Sequence, residues 1–79
     1  MPKLPTISGK EMLAFLQHEG FVLARSRGSH FFLKNPARHL ATTVPIHGKE
    51  ILRPGTLLGI LSDIEMGKDE FCAKIAKGT

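Results

Sequence analysis

The sequence predicts an α+β fold: one helix, three antiparallel strands and a second helix, with a short third helix at the end. Three features predict it. A capped amphipathic segment opens the chain, a tight glycine turn separates two apolar strands, and a helical repeat of apolar residues follows Pro54-Gly55.

Residues 1–6 hold two prolines and read as an irregular lead-in. Ser8-Gly9-Lys10-Glu11 fits a capping box, with Ser8 as N-cap and Glu11 reaching back to its amide. Met12, Leu13, Phe15 and Leu16 then form an apolar stripe at helical spacing, which places a helix at about 9–19 with Gly20 as its stop. Lys10, Gln17 and His18 lie outside the stripe, so His18 is expected at the surface.

Residues 21–26 and 29–34 read as a hairpin with Arg27-Gly28 at the turn, where glycine supplies the positive φ of a two-residue loop. That register sets Arg25 directly across from His30, at a Cβ separation of roughly 5 Å. Both faces carry apolar side chains. Phe21, Leu23 and Phe32 share one, and Val22, Ala24, Phe31 and Leu33 the other, so alternation does not decide which face the helices cover. The face of Arg25, His30 and Lys34 is assigned to solvent near the turn.

Asn35-Pro36-Ala37-Arg38 reads as a second turn and residues 41–45, rich in Thr and Val, as a third strand. Residues 46–55 form a loop carrying His47, Lys49 and Arg53. Leu57, Ile60, Leu61 and Ile64 recur at i, i+3, i+4 and i+7, an amphipathic helix at about 56–66 ended by Gly67. Asp69-Glu70-Phe71, with Ile75 one turn on, suggests a short last helix, a small appendage before residues 77–79 fray. Two helices on one face of a three-stranded sheet bury one layer and leave the other open. This is the arrangement of a double-stranded-RNA-binding domain.

The 79 residues suffice for one domain, 1–79, without room for a second core. A chain this short buries only about 60% of its unfolded surface, so partner binding would add appreciably to its stability. Eleven Lys and Arg against seven Asp and Glu leave a net charge of +4 without a polybasic tail, which favours an acidic partner such as nucleic acid. Cys72 is the single cysteine. No intrachain disulfide can form, the cytoplasm is the expected compartment, and a packed thiol is a commoner role for it than a nucleophile. No stretch approaches the ~20 apolar residues of a membrane span, so no membrane partner is expected.

The candidate site lies in Arg25-Ser26-Arg27-Gly28-Ser29-His30-Phe31-Phe32-Leu33-Lys34. Strand histidines are commonly partly exposed and without chemistry; His30 differs in following a rigid turn among cations. An imidazole of near-neutral pKa can serve as a general base. Arg25, Arg27 and Lys34, with the turn residues Gly28 and Ser29, form the candidate RNA contact. His39 and His47 read as solvated loop residues. No histidines pair at i, i+4 on a helix, no Cys/His cluster has zinc-ligand spacing, and no Walker-type phosphate loop occurs, so no metal or other cofactor is expected. Two other readings compete: a non-catalytic RNA-binding module of the same fold, which would tolerate loss of His30, and an interaction protein whose basic patch meets only an acidic protein.

Several of these residues also occur together in a known family. Gly20-Phe21 after a leucine-bearing helix, Arg27-Gly28-Ser29-His30, Val44-Pro45-x-His47, Gly55-Thr56-Leu57 leading into Ile60-Leu61, and a closing Glu70-Phe71 together resemble the HicA toxins. These are small ribonucleases (mRNA interferases) of bacterial and archaeal toxin–antitoxin pairs. The resemblance spans roughly residues 8 to 71, and Lys68-Asp69 stands where many members carry a serine cap. It implies a fold like that of double-stranded-RNA-binding domains with one catalytic histidine, here His30, and metal-independent cleavage of mRNA. Such cleavage means taking the 2′-OH proton while the adjacent phosphate is attacked in line; His30 is assigned that role, and Arg25, Arg27 and Lys34 the charge that builds up on phosphate. The leaving 5′-oxygen also needs a proton, which His47 could supply if the loop after the third strand folds near the hairpin; otherwise His30 serves both steps, or water serves one. The resemblance also implies neutralisation by a HicB-type antitoxin that covers the site, in a complex that binds operator DNA through the antitoxin.

Overall fold

A computed structural model describes residues 4–77, so the expectations for residues 1–3 and for the tail at 78–79 lie outside them. The described residues fold as α1 (Gly9–His18), β1 (Val22–Arg27), β2 (His30–Asn35), β3 (Leu40–Pro45), α2 (Pro54–Asp63) and α3 (Lys68–Ala76). The strands form one antiparallel sheet in the order β1-β2-β3. The fold is α+β and resembles a double-stranded-RNA-binding domain, as expected.

Both ends of α1 follow from local chemistry. Ser8 Oγ accepts from the Glu11 amide at 3.1 Å, and the Ser8 amide donates to Glu11 Oε1 at 2.9 Å. The bond from the Ser8 amide holds the Glu11 carboxyl below its ordinary range. A depressed carboxyl stabilises above its unfolded pKa, so the box holds at neutral pH and is lost as acid protonates Glu11. At the other end Gly20 takes a φ of 99°. Its amide donates to the Gln17 carbonyl and that of Phe21 to the Leu16 carbonyl, a Schellman closure that turns Phe21 into the core.

The core lies between the sheet and the helices. Met12, Phe15 and Leu16 of α1 and Leu57, Ile60 and Leu61 of α2 bury against Leu33 of β2 and Val44 of β3. At the sheet edge the Thr42 hydroxyl donates to Asp63 Oδ2 at 2.9 Å, tying β3 to the end of α2. The segment before α1 is also held: the Leu52 amide donates to the Ile7 carbonyl at 2.8 Å, and Ile7 is buried.

The second helix differs from expectation at both ends. It begins at Pro54, not near residue 56, because proline at N1 loses no hydrogen bond and already has helical φ. It stops at Asp63, not near residue 66, because Glu65 turns left-handed at φ 56° and the Met66 amide closes onto the Leu61 carbonyl. Gly67 then serves as N-cap of α3. That last helix is part of the core: Phe71 is fully buried, edge-on to Phe15 with centroids 5.1 Å apart.

Gly9 marks the closest approach of α1 to the sheet end that carries His30. A Cβ there would collide with the Pro45 carbonyl oxygen and crowd the Ile46 backbone. Gly9→Ala is therefore expected to destabilise by about 1–3 kcal/mol through overpacking, despite alanine's better helix propensity. A lower urea midpoint at unchanged m-value would show it, whereas an unchanged midpoint would mean that the junction yields freely.

Candidate functional site

The hairpin turn is built from Gly28-Ser29, not from Arg27-Gly28. Gly28 takes φ 59° at the first turn position, as a II′ turn requires, so β1 runs to Arg27 and β2 starts at His30. This changes the partner of the histidine. Arg27 stands across from His30, and Arg25 stands across from Phe32. The pairing then slips between Leu23 and Arg25, a bulge at Ala24 that moves Leu23 to the helix side opposite Leu33 and Val22 to the open side opposite Lys34.

Three rows of side chains consequently cross the uncovered face. His30 lies between Arg27 and Pro45, Phe32 between Arg25 and Thr43, and Lys34 between Val22 and Ala41. Successive rows are two residues apart along the strand, about 6.6 Å. Phe31, Leu33 and Asn35 point the other way, toward the helices, where Leu33 and Asn35 are buried. The expected solvent face is therefore the exposed one, but its cations form a track, with Arg27 beside His30 and Lys34 two rows away. His30, Arg25, Arg27 and Lys34 are all exposed. The Arg25 guanidinium lies over the Phe32 ring, 4.8 Å from its centroid.

The loop after β3 starts beside the turn. The Ile46 amide donates to the Ser29 carbonyl at 2.8 Å, and His47 opens a bend closed by the Glu50 amide on its carbonyl at 2.9 Å. This meets the condition set for His47, which lines a cavity of about 140 Å³ together with Pro45, Arg53 and Thr56. His39, left-handed at φ 56°, sits in the turn at the opposite end of β2, and His18 is exposed at the end of α1. Cys72 is half-buried on α3. Among the described residues no three His, Cys, Asp or Glu side chains group as metal ligands, and no helix is long and apolar enough to cross a membrane.

A family model described as the HicA toxin of bacterial toxin–antitoxin systems matches residues 9–66, from the start of α1 to just past α2. The chain belongs to the HicA toxin family. Neither a curated protein nor a solved structure matches it. As a HicA toxin it is one half of a toxin–antitoxin system and pairs with an antitoxin. The match spans the hairpin, the three cations, His30 and His47, but ends before Phe71.

Sequence alternation already sets Phe32 on the face of His30 and Lys34, but without the bulge it also groups Phe21 and Leu23 there, both of which the fold turns away from the open face. The partner of Phe32 is therefore Arg25 and not Leu23, a change whose available signal was Gly28-Ser29, a glycine-first pair that fixes the register from the turn outward.

Proposed function

We propose that this HicA toxin is an endoribonuclease that cuts mRNA without a divalent metal, with His30 as its general base. The observation that carries the reading is the pairing of His30 with Arg27 at the rigid end of an uncovered, cationic sheet face. His30 takes the proton of a ribose 2′-OH, and the 2′-oxygen attacks the adjacent phosphorus. Arg27, next to it, meets the charge gathering on the phosphate oxygens. Arg25 and Lys34, one and two rows along, hold neighbouring phosphates, and Gly28 and Ser29 let the strand approach the turn. The bond from phosphorus to the 5′-oxygen then breaks, and that oxygen takes up a proton. His47 is the candidate donor because its loop leaves β3 beside the turn; protonated His30 is the other.

The partner fits the same reading. A HicB-type antitoxin with an acidic surface would cover the track and neutralise the toxin in the cytoplasm, and the pair would reach operator DNA through the antitoxin. A non-catalytic RNA-binding module would use the same cations on phosphates, so the decisive experiment is chemical. Purified toxin incubated with single-stranded RNA in EDTA is expected to yield 2′,3′-cyclic phosphate and 5′-hydroxyl ends. Products with 5′-phosphate ends, or a reaction that EDTA stops, would point to metal-activated water. Bound but intact RNA would leave the binding module.

A further inference from the structure

We infer that Phe32 is a stacking site for one unpaired nucleobase of the RNA, placed one row from His30; the inference rests on the ribonuclease reading and adds a base contact to it. Of the five phenylalanines, Phe15, Phe21 and Phe71 are buried and Phe31 packs against the core from the helix side. Phe32 alone lies on the open face, half-exposed among cations. A depression of about 370 Å³ opens at its row, and its lining includes Arg25, Phe32, Lys34, Ala41 and Thr43 of that face.

The ring decides between a phosphate and a base. The face of an aromatic ring is electron-rich and offers a phosphate no donor, whereas a base stacks on it and its edge can use the Thr43 hydroxyl and the Lys34 ammonium. An aromatic ring with a guanidinium beside it is the surface on which unpaired bases stack. The spacing agrees, because a nucleotide with its phosphate at the His30–Arg27 row has a neighbouring base within one row, about 6.6 Å along the strand. The Arg25–Phe32 contact is exposed, and an exposed cation–π contact is weaker than base–aromatic stacking. The incoming base therefore displaces the guanidinium from the ring and frees it for the backbone.

The test uses the His30→Ala protein, which binds RNA without consuming it, and single-stranded oligonucleotides carrying 2-aminopurine at successive positions. Stacking quenches this base, so binding is expected to dim it at one position more than at its neighbours. Adding Phe32→Leu, which keeps apolar bulk on the sheet, is expected to abolish that local quenching. Adding Phe32→Ala instead is expected to weaken binding about 5- to 150-fold while leaving its salt dependence unchanged, because no phosphate contact is lost. Thermal melts of each protein confirm that the fold is retained. RNA that binds with equal fluorescence change at every position, or binds as tightly to the Phe32→Ala protein, overturns the stacking site and leaves the phosphate track standing. RNA that binds neither the His30→Ala nor the unmodified protein at low salt overturns the ribonuclease reading, and the stacking site with it.

Discussion

Replacing His30 by alanine is expected to lower RNA cleavage by about 10²–10⁴-fold and to abolish toxicity, with the fold and RNA affinity nearly intact. The upper end applies if one imidazole serves both proton transfers. The side chain is exposed at the first position of β2, so its loss opens no cavity, and surface changes of this kind usually stay within about 0.5 kcal/mol. Arg27, Arg25 and Lys34 remain in their rows, so affinity should move by less than about tenfold. Single-turnover cleavage and RNA binding measured on the same preparation separate the two effects. A variant that cuts at the unmodified rate would mean that His30 carries no proton. A variant that loses binding and cleavage in equal proportion would place the histidine among the RNA contacts.

How far this site can be read from residues alone depends on which physical signal sets each position. The capping box at Ser8 and Glu11 and the glycine closure at Gly20 are local, and α1 falls within a residue of where they place it. The hairpin is equally plain, but its register is a choice between two adjacent turn pairs. Gly28 permits positive φ in either, and only the order glycine-then-serine selects Gly28-Ser29. That one-residue choice moved the cation opposite His30 from Arg25 to Arg27. The bulge at Ala24 has no such signature, since its origin is the fit of β1 to β2 and not any property of alanine. It exchanged the faces of Val22 and Leu23, so that Phe32 stands beside Arg25 on the open face without the apolar neighbours that unbroken alternation gives it. His47 depended on a long-range contact, the Ile46 amide on the Ser29 carbonyl, which no local pattern encodes.

The last helix shows the same limit from the side of stability. Its sequence offers one aromatic and one aliphatic residue at helical spacing, which reads as an appendage, and the family match stops before it at residue 66. The fold nevertheless buries Phe71 completely, with its ring at 89° to that of Phe15 on α1. Phe71→Ala is therefore expected to cost about 3–5 kcal/mol, combining lost transfer energy, an unfilled cavity and the edge-to-face pair. Small domains have only about 5–15 kcal/mol in total, and one of this length belongs near the lower end. The variant should melt more than about 10 °C lower and be partly unfolded at growth temperature. Phe71→Leu, which keeps most of the buried volume, should recover the larger part of the loss. The Lys74–Glu19 ion pair, at 2.8 Å between α3 and the end of α1, offsets little of it, because water screens a pair whose lysine is open to solvent. Toxicity should fall in Phe71→Ala through lost folded protein, so that cleavage per folded molecule stays normal, the reverse of His30→Ala. A melt within a degree or two of the unmodified protein would mean that α3 docks too loosely to support the sheet, and that the core is complete where the family match ends.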